Sequence, residues 1–287
     1  MNNKKTIIGI ISLFTLTFYS CATTDSIFEK AKSGNAKAQY NLGVMYIKGE
    51  GVSKDDSEAF KWFTKSAKQG NAKAQGYLGS LYNKGEGVSK NDFEAFKWYR
   101  KAAEQGYDEA QFSLGIMYNM GIGVRPDDEQ ALKWCHKAAA QGITDAYNYL
   151  GFMYYNDRNY AKAFKWYLKA AKKGSADAQN SLGIMYYHNK GLAKNDSEAI
   201  KWFRKAVAQG FADAQYNLGS MYDLGEGVPK DAAEALRLYL KAAEQGHFTA
   251  QNLLFNKYKY GDGVPKDINE AQKWYQKVVE QLKKQNQ

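Results

Sequence analysis

The chain has 287 residues, 44% hydrophobic and 15% aromatic, with 40 Lys and Arg against 30 Asp and Glu for a formal net charge of +10. That apolar content excludes a disordered chain, and the length exceeds what one hydrophobic core ordinarily serves. Two cysteines and three scattered histidines leave no material for a disulfide framework or a metal cluster, so neither a metal nor a cofactor is expected.

At the N-terminus, Lys4 and Lys5 precede an apolar run from Ile7 to Tyr19. Such a run is about 20 Å long as a helix, short of the ~30 Å needed to span a bilayer. It reads as a secretory signal segment over residues 1–20. The run closes on Phe18-Tyr19-Ser20-Cys21, which resembles a bacterial lipoprotein signal, with Phe18 where Leu is usual. The resemblance implies lipid attachment at Cys21 and, with Ala22 next, an envelope protein anchored in the outer membrane and facing the periplasm. Ordinary secretion is the alternative. Residues 21–34 then form the lipidated terminus, a linker and a short capping helix. Loss of Lys4 and Lys5 lowers the net charge to +8 and leaves Cys135 without a partner cysteine.

From residue 35 the chain repeats itself. Ala38-Gln39 returns as Ala74-Gln75, Ala110-Gln111, Ala146-Tyr147, Ala178-Gln179, Ala214-Gln215 and Ala250-Gln251. A fixed period of this size predicts a stacked solenoid, with units at 35–70, 71–106, 107–142, 143–174, 175–210, 211–246 and 247–282 and a polar tail at 283–287. In each first half, residues such as Ala38, Leu42, Met45 and Tyr46 mark one helical face. Gly43 and its equivalents sit inside that helix, where glycine costs about 1 kcal/mol relative to Ala, which predicts close approach of the partner helix. Gly49-Glu50-Gly51 and its echoes lack the preceding strand of a nucleotide loop and read as helix stops. The second helix opens with Asp55-x-x-Glu58, repeated as Asn91…Glu94, Asp127…Gln130, Asn195…Glu198, Asp231…Glu234 and Asp267…Glu270. This capping-box spacing commits both carboxylates to backbone N–H groups. Trp62, Trp98, Trp134, Trp166, Trp202 and Trp274 share one slot, filled by Leu238 in the sixth unit, and are expected in the core.

The ordered series A-x-x-x-L-G-x-x-Y, G-x-G-V-x-x-D and A-x-x-W-x-x-x-A-A-x-x-G resembles the Sel-one-like repeat family of the tetratricopeptide superfamily. The resemblance covers residues 35–282 and implies an all-α fold, an α/α right-handed superhelical solenoid of seven two-helix repeats acting as a protein-interaction scaffold. The fourth unit lacks four residues and replaces the glycine loop by Tyr155-Asn156-Asp157-Arg158-Asn159-Tyr160. The disulfides of the cysteine-rich secreted members are missing, and no Ser-x-x-Lys occurs to support the β-lactam chemistry associated with them.

Two surfaces are candidates. The varying positions of the first helices place Tyr40, Asn41, Tyr77, Ser80, Phe112 and Asn148 on one stripe, continued by Tyr149, Phe152, Asn180, Tyr216, Asn217 and Asn252. Exposed aromatics mixed with amides suit protein recognition, and this stripe is the expected partner-binding groove. Beside it, the column from Lys37 and Lys73 to Asp145, Asp177 and Asp213 changes from basic to acidic. On the second helices, Lys65, Lys101, Lys137, Lys169, Lys205, Lys241 and Lys277 form an unbroken basic row, expected to be a solvated outer face or a contact for anionic lipid or glycan. A second row, from Lys61 to Lys273, lies four residues earlier. The expected function is therefore a non-catalytic envelope scaffold binding another protein or peptide. Glycan binding with at most weak β-lactam activity, and contact with host proteins, are the alternatives. Nucleic acid is not an expected partner.

Overall fold

The computed structural model describes residues 24–285, and among them every regular element is an α-helix. The signal segment and Cys21 lie outside the described residues. A short helix α1 covers residues 24–32. It is followed by α2 (Ala36–Lys48), α3 (Asp56–Lys68), α4 (Ala72–Lys84), α5 (Asp92–Glu104), α6 (Asp108–Met120), α7 (Asp128–Ala140) and α8 (Thr144–Asn156). Next come α9 (Tyr160–Lys172), α10 (Ala176–Tyr187), α11 (Asp196–Ala208), α12 (Ala212–Leu224), α13 (Ala232–Glu244), α14 (Phe248–Tyr260) and α15 (Ile268–Gln285). The seven helical hairpins read from the sequence are thus present. The chain divides into two compact units, Met1–Ile143 and Thr144–Gln287, and the division falls at the start of the short fourth repeat.

One bond sets the hairpin register in every repeat. The N–H of the residue capping the second helix donates to the carbonyl of the first-helix tyrosine: Asp55 to Tyr46 at 3.1 Å, Asn91 to Tyr82 at 2.8 Å, Asp267 to Tyr258 at 2.9 Å. The shortened fourth repeat keeps the same bond, Asn159 to Tyr154 at 2.9 Å. It does so with a three-residue turn in which Arg158 takes a positive φ of 57°. Cap side chains then accept from the helix's third N–H, as in Asp55 to Glu58 at 3.0 Å and Asn195 to Glu198 at 3.0 Å.

This corrects the capping-box expectation for the glutamates. Because the cap N–H already serves a tyrosine carbonyl, the glutamates turn to the lysine or arginine three residues on. Glu58 pairs with Lys61 at 2.6 Å, Glu94 with Lys97 at 2.7 Å, Glu198 with Lys201 at 3.0 Å and Glu270 with Lys273 at 3.2 Å. Glu234 pairs with Arg237. The second basic row is therefore largely neutralised within its own helices.

Close helix approach at the first-helix glycine is as expected. A Cβ on Gly43 would stand 2.7 Å from the Phe63 ring, one on Gly79 2.9 Å from Tyr99, and one on Gly183 2.5 Å from Phe203. In the third repeat the group against Gly115 is the Cys135 thiol. The seventh repeat breaks the rule: Phe255 replaces the glycine, and the facing Tyr275 becomes exposed. Tyrosine hydroxyls at this seam face serines, Tyr99 towards Ser80 and Ser113 and Tyr167 towards Ser181.

The residue filling the hairpin seam is thus the one after the tryptophan; Trp134, Trp202 and Trp274 are buried as expected, while Trp62, Trp98 and Trp166 are only half-buried. Trp98 and Trp202 bridge successive repeats. Trp98 packs against a cluster holding Phe63 and Ala67 of the preceding hairpin and Leu78 of its own, and Trp202 shares a cluster with Tyr167 and Ala171 of the preceding hairpin and Leu182 of its own. Trp274 is 2% exposed.

Candidate protein-binding surface

The glutamine of the Ala-Gln pair ties its helix to the one before it at Gln39, Gln75, Gln111, Gln179 and Gln251. Gln75 Nε2 donates to the Ala67 carbonyl at 3.1 Å, while its Oε1 accepts from Gln105 at 2.7 Å. The same pair of bonds recurs around Gln39, Gln111 and Gln179. A buried amide with both ends satisfied holds its helix against rotation. The exposed faces of α2, α4, α6 and α10 therefore have fixed orientations.

In the first unit this stripe is an aromatic row. Tyr40 lies 5.8 Å from Tyr77 and 5.9 Å from Phe63, and Tyr77 stacks on Phe63 at 4.9 Å. Burial, with Tyr77 beside it, pushes the Tyr40 hydroxyl up to about 12. Tyr107 joins the row because Gly76 leaves room for its ring, and burial with Glu109 nearby raises its hydroxyl further. Asp108 and Glu109 share a hydrogen bond that lowers Asp108 and raises Glu109. Asn41, Ser80 and Phe112 are half-buried along the same row.

In the second unit amides take over. Asn148 donates to Asp177 at 2.7 Å, and Asn217 to Asn180 at 2.9 Å. Asn180 is 4% exposed and departs from the expected wall of accessible residues, because its amide is spent on the neighbouring helix. Tyr149 meets Phe152 at 5.8 Å, and Phe152 is 45% exposed. Beside it a 240 Å³ cavity is lined by Phe152, Tyr155, Asn156, Tyr167, Ser181 and Ile184. Tyr216 stacks on His247 at 4.9 Å. His247 caps α14 by accepting from the Ala250 N–H at 3.1 Å and faces Asp213 through Nε2 at 3.3 Å. Asn252 is exposed.

The lysine row is exposed apart from half-buried Lys277, and it also covers the indoles. Six of the seven ammoniums lie over the indole three residues earlier: Lys65 over Trp62 at 3.9 Å, Lys101 over Trp98 at 4.4 Å and Lys137 over Trp134 at 4.0 Å. Lys169 over Trp166 at 4.1 Å, Lys205 over Trp202 at 3.9 Å and Lys277 over Trp274 at 4.7 Å continue it. Lys241, in the repeat where Leu238 replaces tryptophan, has no indole to cover. The i,i+3 spacing stacks lysine on indole along one helical face.

Sequence reasoning missed Lys257, which is 5% exposed in the slot that holds methionine or leucine elsewhere. It pairs with Asp223 at 2.8 Å. Its signal was available, as the one charged residue in an otherwise apolar column. Cys135 is buried, and burial pushes its thiol up to about 12. Among the described residues no group of His, Cys, Asp or Glu is arranged to hold a metal, and no helix is long and apolar enough to cross a membrane.

The Sel1 repeat family model matches residues 36–71, 72–107, 108–143, 144–175, 176–211, 212–247 and 249–281. The chain belongs to the Sel1 repeat family. Proteins of this family serve in general as protein-interaction scaffolds. A Sel1 repeat protein from Oxalobacter formigenes is 34% identical with a TM-score of 0.73, over 87% of this chain and 99% of that one. A protective antigen of uropathogenic Escherichia coli displaying an SLR fold is 38% identical with a TM-score of 0.75. The match covers 90% of this chain but spans only 56% of the antigen. The secretory immunoglobulin A-binding protein EsiB of Escherichia coli is 36% identical over 58 residues, 20% of this chain and 12% of that protein.

Proposed function

We propose that this protein is a lipid-anchored bacterial envelope scaffold that binds another protein through the first-helix wall and catalyses nothing. The observation that carries the reading is the half-exposed aromatic and amide surface of the first helices, Tyr40 with Tyr77 in the first unit and, separately, Phe152 and Tyr216 in the second. Rigid aromatic surface presents contact area at low entropic cost. The buried Cys135 thiol, its pKa raised by burial, stays protonated near neutral pH and is a poor nucleophile. The tether is Cys21, and the acyl chains it would carry anchor by burial of their CH₂ groups.

A photo-crosslinking residue at Phe112 or Phe152 should give one discrete adduct in intact cells, whereas the same residue at Lys101 should not. Adducts of equal yield from both faces would remove the wall from the argument. Labelling with a clickable fatty acid should be lost in Cys21→Ala; retained label would place acylation elsewhere. A second reading, contact with a host protein, is favoured by the likeness to a protective antigen and to an immunoglobulin-binding protein. It predicts that the adduct forms only when host secretions are present.

A further inference from the structure

Helix α9 breaks the charge pattern of its siblings. The other second helices each carry at least two acidic residues, with Glu or Gln at the third position. α9 has Lys162 there and no acid anywhere, while Lys165, Lys169 and Lys172 follow and Lys173 caps its end. All five are exposed, and among the described residues none is paired with a carboxylate.

An aromatic platform lies beneath them. Tyr147 replaces the repeat's glutamine and stacks on Trp166 at 5.9 Å with an interplanar angle of 19°. Lys169 sits 4.1 Å above Trp166, and Lys173 is 5.9 Å from Tyr147. The substitutions are matched, since Lys173 stands where each of the other six repeats has glutamine, five of which bond the glutamine that Tyr147 replaces. A 340 Å³ cavity opens here, lined by Lys162, Lys165, Trp166, Leu168, Lys169 and Lys172.

We infer that this face of α9 is an anion-binding surface that docks the protein on phosphate headgroups of an anionic lipid bilayer. Unneutralised lysines on one helical face supply the attraction. The half-buried indole with its neighbouring leucine supplies an amphipathic patch suited to the headgroup boundary. The biological setting rests on the envelope reading above; the binding itself does not, because it is tested without the acyl chain.

The chain beginning at residue 22, which keeps every described helix, is mixed with vesicles of phosphatidylcholine containing 30% phosphatidylglycerol, or of phosphatidylcholine alone. Cosedimentation should be at least fivefold stronger on the anionic vesicles and fall with salt. Lys162→Glu with Lys169→Glu should lower it at least fivefold. The first change recreates the Glu-x-x-Lys pair of the sibling helices, so folding, followed by circular dichroism, should survive. The charge-matched Lys101→Glu with Lys137→Glu should keep most of the binding. Equal loss in both variants would reduce the effect to net charge, and equal binding to both vesicles would remove the headgroup. Displacement by millimolar inorganic phosphate would reassign the face to free phosphate. Binding of poly-glutamate without vesicle binding would assign it to an acidic protein segment. Either result overturns the lipid proposal.

Discussion

Two glycine substitutions separate loop conformation from inter-repeat contact. Gly70 has φ +89° and nothing within 4 Å of an added Cβ. Gly87, the second glycine of its loop, has φ +68°, and its Cβ would overlap the Asp56 carbonyl and stand 2.8 Å from the Ser57 nitrogen. A left-handed alanine costs about 1–2 kcal/mol, offset by about 0.4–1 kcal/mol of lost freedom in the unfolded chain. Gly70→Ala should therefore cost no more than about 1.5 kcal/mol. Gly87→Ala adds an overpacking cost of about 1–3 kcal/mol, at the upper end because the obstacle is peptide backbone of the preceding repeat and cannot rotate away. Thermal unfolding by circular dichroism, at about 2–4 °C per kcal/mol for a chain of this size, should place the two variants about 5–10 °C apart. Equal melting temperatures would show that the loop glycines serve only as turns.

The remaining expectations follow from single contacts. Gln105→Ala should destabilise by about 1–2 kcal/mol in urea titration, because it strands the buried Oε1 of Gln75. Lys205→Ala should cost about 0.5–1 kcal/mol and shift tryptophan emission to the red, since it uncovers Trp202. Cys135 should resist alkylation at pH 8 in the folded protein and react once unfolded. Its folded value of about 12 lies above the unfolded value near 9, so its contribution to stability is full below pH 9 and is lost as pH rises towards 12. Lys257→Met with Asp223→Asn should leave stability unchanged or raise it, because a buried ion pair seldom outperforms apolar packing. Lys257→Met alone should do worse than the double variant, as it leaves Asp223 without its ammonium.

Much of the fold and part of the site are legible before any coordinates. Period 36, the first-helix glycine and the Asp or Asn caps state how each hairpin is built, because each is a local demand of helix geometry. The helical faces that carry Tyr40, Tyr77 and Phe112 in the first unit, and Phe152 and Tyr216 in the second, are legible for the same reason: residues three, four and seven apart share a face. The α9 lysine surface was also within reach, by comparing the third position of each second helix, where Lys162 stands alone among Glu and Gln.

Competition between groups that lie far apart in the chain was settled only by the tertiary structure. The glutamates were assigned to the cap N–H, yet the tyrosine carbonyl of the preceding helix occupies it, and they pair with lysine instead. Asn180 looked accessible on its helical face until Asn217, one repeat later, claimed its amide. The depth of each indole likewise depends on the neighbouring repeat. Sequence periodicity names the face on which a side chain lies, but only packing fixes how deeply it sits and which of several eligible partners it meets.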